Sequence, residues 1–366
     1  AFSRLATRCL ALYGQQLSVT SRPGPLLAGG VIHALVAART LSRQEASLVL
    51  ASAAYGMSLV GRMSMSRVLD HAARRRHPER IRDDRYRLHA VECLAARAMA
   101  DGRWHGLVAR LDALAADCRR LAIPRHEMET RSLAAKLAFY QGSLGEALRR
   151  FEEVTRVSLP LGTGIGRFWG PMGEIEAHLA MGTVDLESLR RQLDEARQVM
   201  TEFENYDVAY TVRWFGLRAR VAWRQDDVAA LHEAVLTGAS ACQRIAFAGF
   251  WAHEGFAGIG EGLIRLRRHA RDQGGAVQAL DAAWHDFRRP LAAHSRRFTP
   301  ARTLWHYLAG LEAAEAGRLL QAARSLRTAV EHAERQGMTL ELARACALLG
   351  SLEDDPAWHE RASRLW

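Results

Sequence analysis

The sequence predicts an all-α chain wound as a right-handed α-solenoid of about seven to eight degenerate helical hairpins. A turn residue recurs at Gly61, Gly102, Gly142, Gly182, Asp226, Gly274 and Gly317, with successive gaps of 41, 40, 40, 44, 48 and 43 residues. Each turn residue lies between two segments whose apolar positions repeat at offsets of three and four, the period of a helix face. Alanine and leucine dominate, β-branched runs are absent, and no segment reads as a strand.

Each element follows from its distance to the turn. Glycine there adopts the left-handed conformation that ends the first helix of a hairpin. Two, five and nine residues after the turn come Trp104, Leu107 and Leu111; Leu144, Ala147 and Phe151; and Leu319, Ala322 and Leu326. These share one face of the second helix and belong to the core. Seven residues before the turn a small side chain recurs (Ala54, Ala95, Ala135, Ala219, Gly310), which lets the paired helices approach closely. The pattern drifts at Gly182, where the next helix shifts to Leu186, Leu189 and Leu193, and at Gly274, whose small position is Arg267. Breaks are expected at Ser21–Pro25, Arg76–Pro78, Ile123-Pro124, Leu159–Gly166 and Arg289-Pro290, and Asp354-Asp355-Pro356 caps a last short helix running to Trp366. No break is long enough for a flexible linker. The expected organisation is one domain over 1–366, with capping helices at 1–43, repeats at 44–336 and a capping hairpin at 337–366.

This spacing resembles the tetratricopeptide repeat, most clearly at 127–157 and 302–336, although the unit is longer than the usual one of about 34 residues. The run Ala138–Glu153 with Trp169–Gly182 is similar to the helical C-terminal region of large bacterial STAND-type ATPase signalling proteins, linked to nucleotide-cyclase or Ser/Thr-kinase domains. Leu12-Tyr13-Gly14 and Ser21–Leu27 look like the entry into that region. The resemblance implies a regulatory solenoid, attached to or associated with an ATPase or output domain. The catalytic residues of such proteins lie in other domains, so none is carried over. The first residue is Ala1 rather than methionine, and a longer parent protein is expected.

Composition narrows the function classes. Apolar residues make up 49% of the chain, enough for a continuous core. The net charge of +10 comes from 50 basic and 40 acidic residues scattered over helix faces, in short and distant clusters, which argues against a nucleic-acid surface. Five cysteines (Cys9, Cys93, Cys118, Cys242, Cys346) lack any Cys-x-x-Cys spacing and read as buried free thiols of a cytoplasmic protein. The best apolar stretch, 25–38, is too short to span a membrane and contains Gly29, Gly30 and His33.

No catalytic or cofactor motif is present, and neither a metal nor a cofactor is expected. Gly162–Gly166 is glycine-rich but lacks the preceding strand and the lysine of a nucleotide loop. Gly255–Gly262 fails as a dinucleotide fingerprint for the same reason and reads as close helix packing or a helix break. The fifteen histidines show no metal-ligand spacing, and the neighbours His253 and Glu254 should point in different directions on a helix. Trp223, Trp251, Trp284, Trp305, Trp358 and Trp366 read as core or cap residues.

The register of tetratricopeptide hairpins places residues thirteen, ten, six and three before the turn in the concave groove. Transferred here, it selects His89, Glu92, Glu129, Ser132, Lys136, Trp169, Glu176, Arg213, Arg220, Glu261, Arg268 and Tyr307. Mixed charge with aromatic residues suits a protein, peptide or small-molecule ligand. Lys136 is the one lysine of the chain. The alternative is a solenoid turned enzyme, with a pocket near Trp169, Tyr210, Trp214 and His253, where the repeat loses regularity at 160–185 and 245–275.

Overall fold

The computed structural model describes residues 42–162, 164–202, 208–245 and 249–365. The expected capping helices at 1–43 lie outside these residues, apart from Ser42 and Arg43; so do the stretch 25–38, Leu12-Tyr13-Gly14, Ser21–Leu27, Cys9 and Trp366. The described residues form α-helices, three short 3-10 turns and no strand. The first half comprises α1 (Arg43–Leu59), α2 (Met63–Arg74), α3 (Asp84–Ala100), α4 (Leu107–Arg120), α5 (Pro124–Tyr140), α6 (Leu144–Ser158), α7 (Gly164–Met181) and α8 (Leu186–Thr201). The second comprises α9 (Val208–Arg224), α10 (Val228–Gln243), α11 (His253–Asp272), α12 (Gln278–Arg297), α13 (Ala301–Glu315), α14 (Leu319–Gln336), α15 (Thr339–Glu353) and α16 (Pro356–Leu365). No helix is long and apolar enough to cross a membrane among the described residues.

Odd- and even-numbered helices pair in sequence, and every expected turn residue sits between such a pair. Gly61, Gly102, Gly142, Gly182, Asp226, Gly274 and Gly317 all have positive φ, between 55° and 78°. Asp354 joins α15 to α16 in the same way (φ 50°). Three of the second helices start on side-chain or proline signals: Asp185 accepts from Ser188 N, Asp227 from Ala230 N, and Asp355 from Ala357 N ahead of Pro356. Trp104, Phe151 and Leu326 are buried, as are Ala54, Ala95, Ala135 and Ala219, so the turn serves as a ruler for the core. Cys93, Cys118, Cys242 and Cys346 are buried free thiols.

Gly255–Gly262 lies wholly within α11 and brings two backbones together. A Cβ on Gly258 would stand 2.1 Å from the Gly216 carbonyl oxygen of α9, and one on Gly216 would stand 2.3 Å from that of Gly255. Backbone cannot retreat as a flexible side chain does. Gly258→Ala and Gly216→Ala are each expected to destabilise the chain by about 1–3 kcal/mol through overpacking. Urea unfolding checks this, and an unchanged midpoint with an unchanged slope would contradict the close approach.

Three expectations need correction. Leu319, the first residue of α14, is 56% exposed rather than core, although Ala322 and Leu326 of the same set are buried. Arg289-Pro290 does not break a helix: α12 runs through Pro290. Proline removes the N–H that the Asp286 carbonyl would accept from, and the Gln243 side-chain amide of α10 donates to that carbonyl instead (2.5 Å). Trp223 is 37% exposed rather than core, with the Arg265 guanidinium over its ring at 5.1 Å.

The chain also closes on itself. The Thr299 amide, just before α13, donates to the Ala100 carbonyl at the end of α3 (2.9 Å). Tyr140 Oη of α5 donates to the Phe250 carbonyl (2.9 Å). The turn at Gly142 abuts Thr339 of α15, that at Gly102 abuts Gln336, and that at Gly61 abuts Arg297. Late hairpins therefore rest against the turns of early ones, with direct consequences for the inner face.

Candidate functional site

The polar residues selected by the turn register are brought together, but they are not solvated. His89, Glu92, Ser132, Lys136, Glu176, Arg213 and Glu261 are buried, contrary to an open wet groove: they pair with one another and with neighbouring inner helices, and closure of the chain adds Phe250 beside Tyr140 and Arg344 beside Glu254. They form three charged groups along the odd-numbered helices.

The first group joins α3 and α5. His126 Nδ1 meets Glu92 Oε2 at 2.5 Å and Glu129 Oε2 at 3.7 Å. The His89 ring lies 5.7 Å from that of His126, with its Nε2 3.2 Å from Ser52 Oγ. Burial, then the His126 charge, pushes the His89 imidazole down to about 4. Burial, then the Glu92 carboxylate and its hydrogen bond, pushes Glu129 up to about 8. His126 moves up: burial opposes this, and the hydrogen bond and charge of Glu92 outweigh it.

The raised Glu129 has a stability consequence. Its folded state holds a proton that the unfolded chain releases near the ordinary glutamate value of 4.5. That contribution is complete below 4.5 and is lost as pH rises through about 8. The stability of Glu129→Gln relative to the native chain should therefore rise from pH 5 to pH 8. Thermal melts of both proteins across that range check it, and a constant or falling difference would contradict it.

The second group is Lys136, Glu176 and Arg213, from α5, α7 and α9. Lys136 Nζ pairs with Glu176 Oε2, and Arg213 Nε donates to Glu176 Oε1 (2.6 Å). Lys136 and Glu176 both lie six residues before their turns, so one repeat of separation brings them face to face. Burial pulls the Lys136 ammonium down against the Glu176 charge, and its Nζ lies 4.9 Å from the Phe139 ring centre.

The third group joins α9, α11 and α15. Arg220 donates to Glu254 Oε2 (2.5 Å) and to Glu261 Oε2 (3.3 Å). Arg344 Nη1 stands 3.9 Å from Glu254 Oε2. Burial would raise the Glu254 carboxyl, but Arg220, then Arg344 and Lys136, hold it below the usual carboxylate range. Glu261 is held down in the same way, chiefly by Arg220 against its burial. Beside Glu254, His253 Nε2 lies 3.6 Å from Glu341 Oε1, and His253 Nδ1 lies 3.4 Å from His294 Nε2.

The remaining selected residues stand apart to different degrees. Tyr307 is half-buried, and burial, then Glu261, pushes its hydroxyl up to about 12. Arg268 is 61% exposed and pairs with Glu315 at 3.0 Å, away from the inner face. Trp169 stacks on Trp251 (ring centres 6.4 Å apart, planes at 16°), which brings the two irregular stretches of the repeat together. Gly162 ends a 3-10 turn and Gly164 begins α7, so most of the glycine-rich segment is the start of a helix.

Sequence reasoning missed His126, His294, Glu341 and Arg344; Trp251 is core as expected, and Glu254 was named only as a neighbour of His253. One signal was available: His-x-x-Glu occurs at 89–92 and again at 126–129, on consecutive odd helices. His253 and Glu254 do reach a common neighbour, Glu341, despite being adjacent on α11. A cavity of about 400 Å³ lies elsewhere, between α2, α3 and α4, bordered by Arg74, Arg87, Leu94, Arg110 and Asp117. No protein-family model matches this chain, and no curated protein matches it.

Proposed function

We propose that this chain is a non-catalytic regulatory sensor or scaffold. In this reading it is a right-handed α-solenoid of tetratricopeptide-like hairpins, forming the C-terminal part of a cytoplasmic STAND-type signalling protein. It binds a protein, peptide or small ligand on the face lined by α3, α5, α7, α9 and α11.

The observation that supports this reading most is the line of buried ion pairs Lys136–Glu176–Arg213 and Arg220–Glu254–Glu261. Apolar side chains of similar volume are often as stabilising as a buried ion pair, or more so. Stability alone is therefore a weak reason for charge here. Recognition is a better one, because a charged ligand group can replace an internal partner one for one. Ligand binding would favour a more open arrangement of the hairpins, and that shift would be passed to the attached ATPase or output domain.

The enzyme reading draws on His253 and Glu254, which lie in the irregular stretch 245–275. Glu254 is committed to Arg220 and kept ionised by it, which suits a structural or binding role better than proton transfer. A nucleic-acid partner is disfavoured because Lys136, Arg213 and Arg220 are each paired with a carboxylate.

The reading frame upstream of Ala1 tests the parent protein. A nucleotide-binding ATPase domain in frame supports the regulatory reading, and a complete gene encoding this chain alone overturns that part of it.

A further inference from the structure

We propose that His253, Glu254 and Glu341 form a binding site for a divalent transition-metal ion, zinc being the best match, which ties α11 to α15. One ligand atom from each of the three residues lies within 4.8 Å of the others. All three side chains are buried, and four of their atoms have no hydrogen-bond partner: His253 Nε2, Glu254 Oε1, Glu341 Oε1 and Glu341 Oε2. Buried polar atoms in native proteins are almost always satisfied, and four exceptions on three residues whose ligand atoms lie this close call for an ion or water there.

The spacing favours the ion. His253 Nε2 and Glu341 Oε1 are 3.6 Å apart, too far for a hydrogen bond. In a tetrahedral zinc site with bonds of 2.0–2.1 Å, neighbouring ligand atoms stand about 3.3 Å apart. Imidazole nitrogen and carboxylate oxygen are both zinc donors, and three such ligands leave a fourth position for water. The surroundings fit as well. Glu254 Oε2 is held by Arg220, which leaves Oε1 for the metal. His253 Nδ1 faces His294 Nε2, the kind of outer partner that fixes the tautomer of a ligating histidine. Tyr140 and Phe298 close the other side, with ring centres 5.4 and 5.6 Å from that of His253. Arg344, with its side chain 18% exposed, borders the cluster on the solvent side. Since α15 and α11 meet here, a metal would reinforce chain closure.

The test strips the full chain with a chelator and titrates it with Zn²⁺ alone, following calorimetry and melting temperature, with circular dichroism to confirm folding. The native chain should take up one equivalent and melt about 3–4 °C higher at a hundredfold excess over Kd. Glu341→Gln should weaken uptake by about 100-fold, while His126→Gln, in the other histidine–glutamate group, should leave it intact. No uptake by the native chain, uptake unaffected by Glu341→Gln, or uptake lost in His126→Gln would each overturn the assignment. Should Glu341→Gln not fold, X-ray absorption of the zinc-loaded native chain decides. One imidazole with oxygen donors supports the site, and two imidazoles overturn it.

Discussion

Replacing Glu176 with alanine is expected to destabilise the folded chain by about 3–5 kcal/mol. Glu176 is the common partner of Lys136 and Arg213, with one carboxylate oxygen given to each. Its removal leaves two buried cations without their paired carboxylate, and neither can reach water without opening the closed chain. The triple replacement Lys136→Met, Glu176→Leu and Arg213→Met should recover most of the loss, because an apolar set of similar volume removes the desolvation penalty along with the attraction. Urea unfolding of the single and triple variants measures both. A loss below about 1 kcal/mol for Glu176→Ala would mean that water reaches the group.

Gly142→Ala is expected to be more destabilising than Gly317→Ala by about 1–3 kcal/mol. The two turns have almost the same backbone, with φ of 77° and 71°, so the strain of a side chain in the left-handed region, about 1–2 kcal/mol, is shared. Their surroundings differ. A Cβ on Gly142 would meet Thr339 Cβ and Cγ2 at 2.9 Å, whereas one on Gly317 would meet nothing within 4 Å. The difference between the variants therefore reads the closure of α5 against α15. Adding Thr339→Gly should rescue Gly142→Ala more than Gly317→Ala. Equal losses with no selective rescue would show that the late hairpins do not rest on the early turns in solution.

What was legible in the sequence was what is local. Left-handed turn residues, the small side chain seven positions earlier and the apolar set at two, five and nine positions later depend on contacts within one hairpin. They placed Trp104, Phe151 and Leu326 in the core. The same register placed Lys136, Glu176 and Arg213 on the inner face of successive hairpins, and the structure pairs them there. Burial was not legible, because it depends on closure between residues such as Tyr140 and Phe250, 110 positions apart. For the same reason Glu341 and Arg344, in the expected C-terminal cap, gave no sign of reaching His253 and Glu254. Pro290 misled because its relief comes from Gln243, on another helix. Trp223 misled because an arginine covers it in place of the core.

The central claim is that the polar inner face recognises a ligand. Amide hydrogen exchange, compared with and without a peptide or small ligand selected for binding the whole chain, tests it most directly. The account predicts that exchange changes concentrate on α3, α5, α7, α9 and α11 and at the junction of α5 with α15, where ligand groups replace internal ion partners. Changes confined to α4, α6, α8 and α10, with the inner helices untouched, would contradict it.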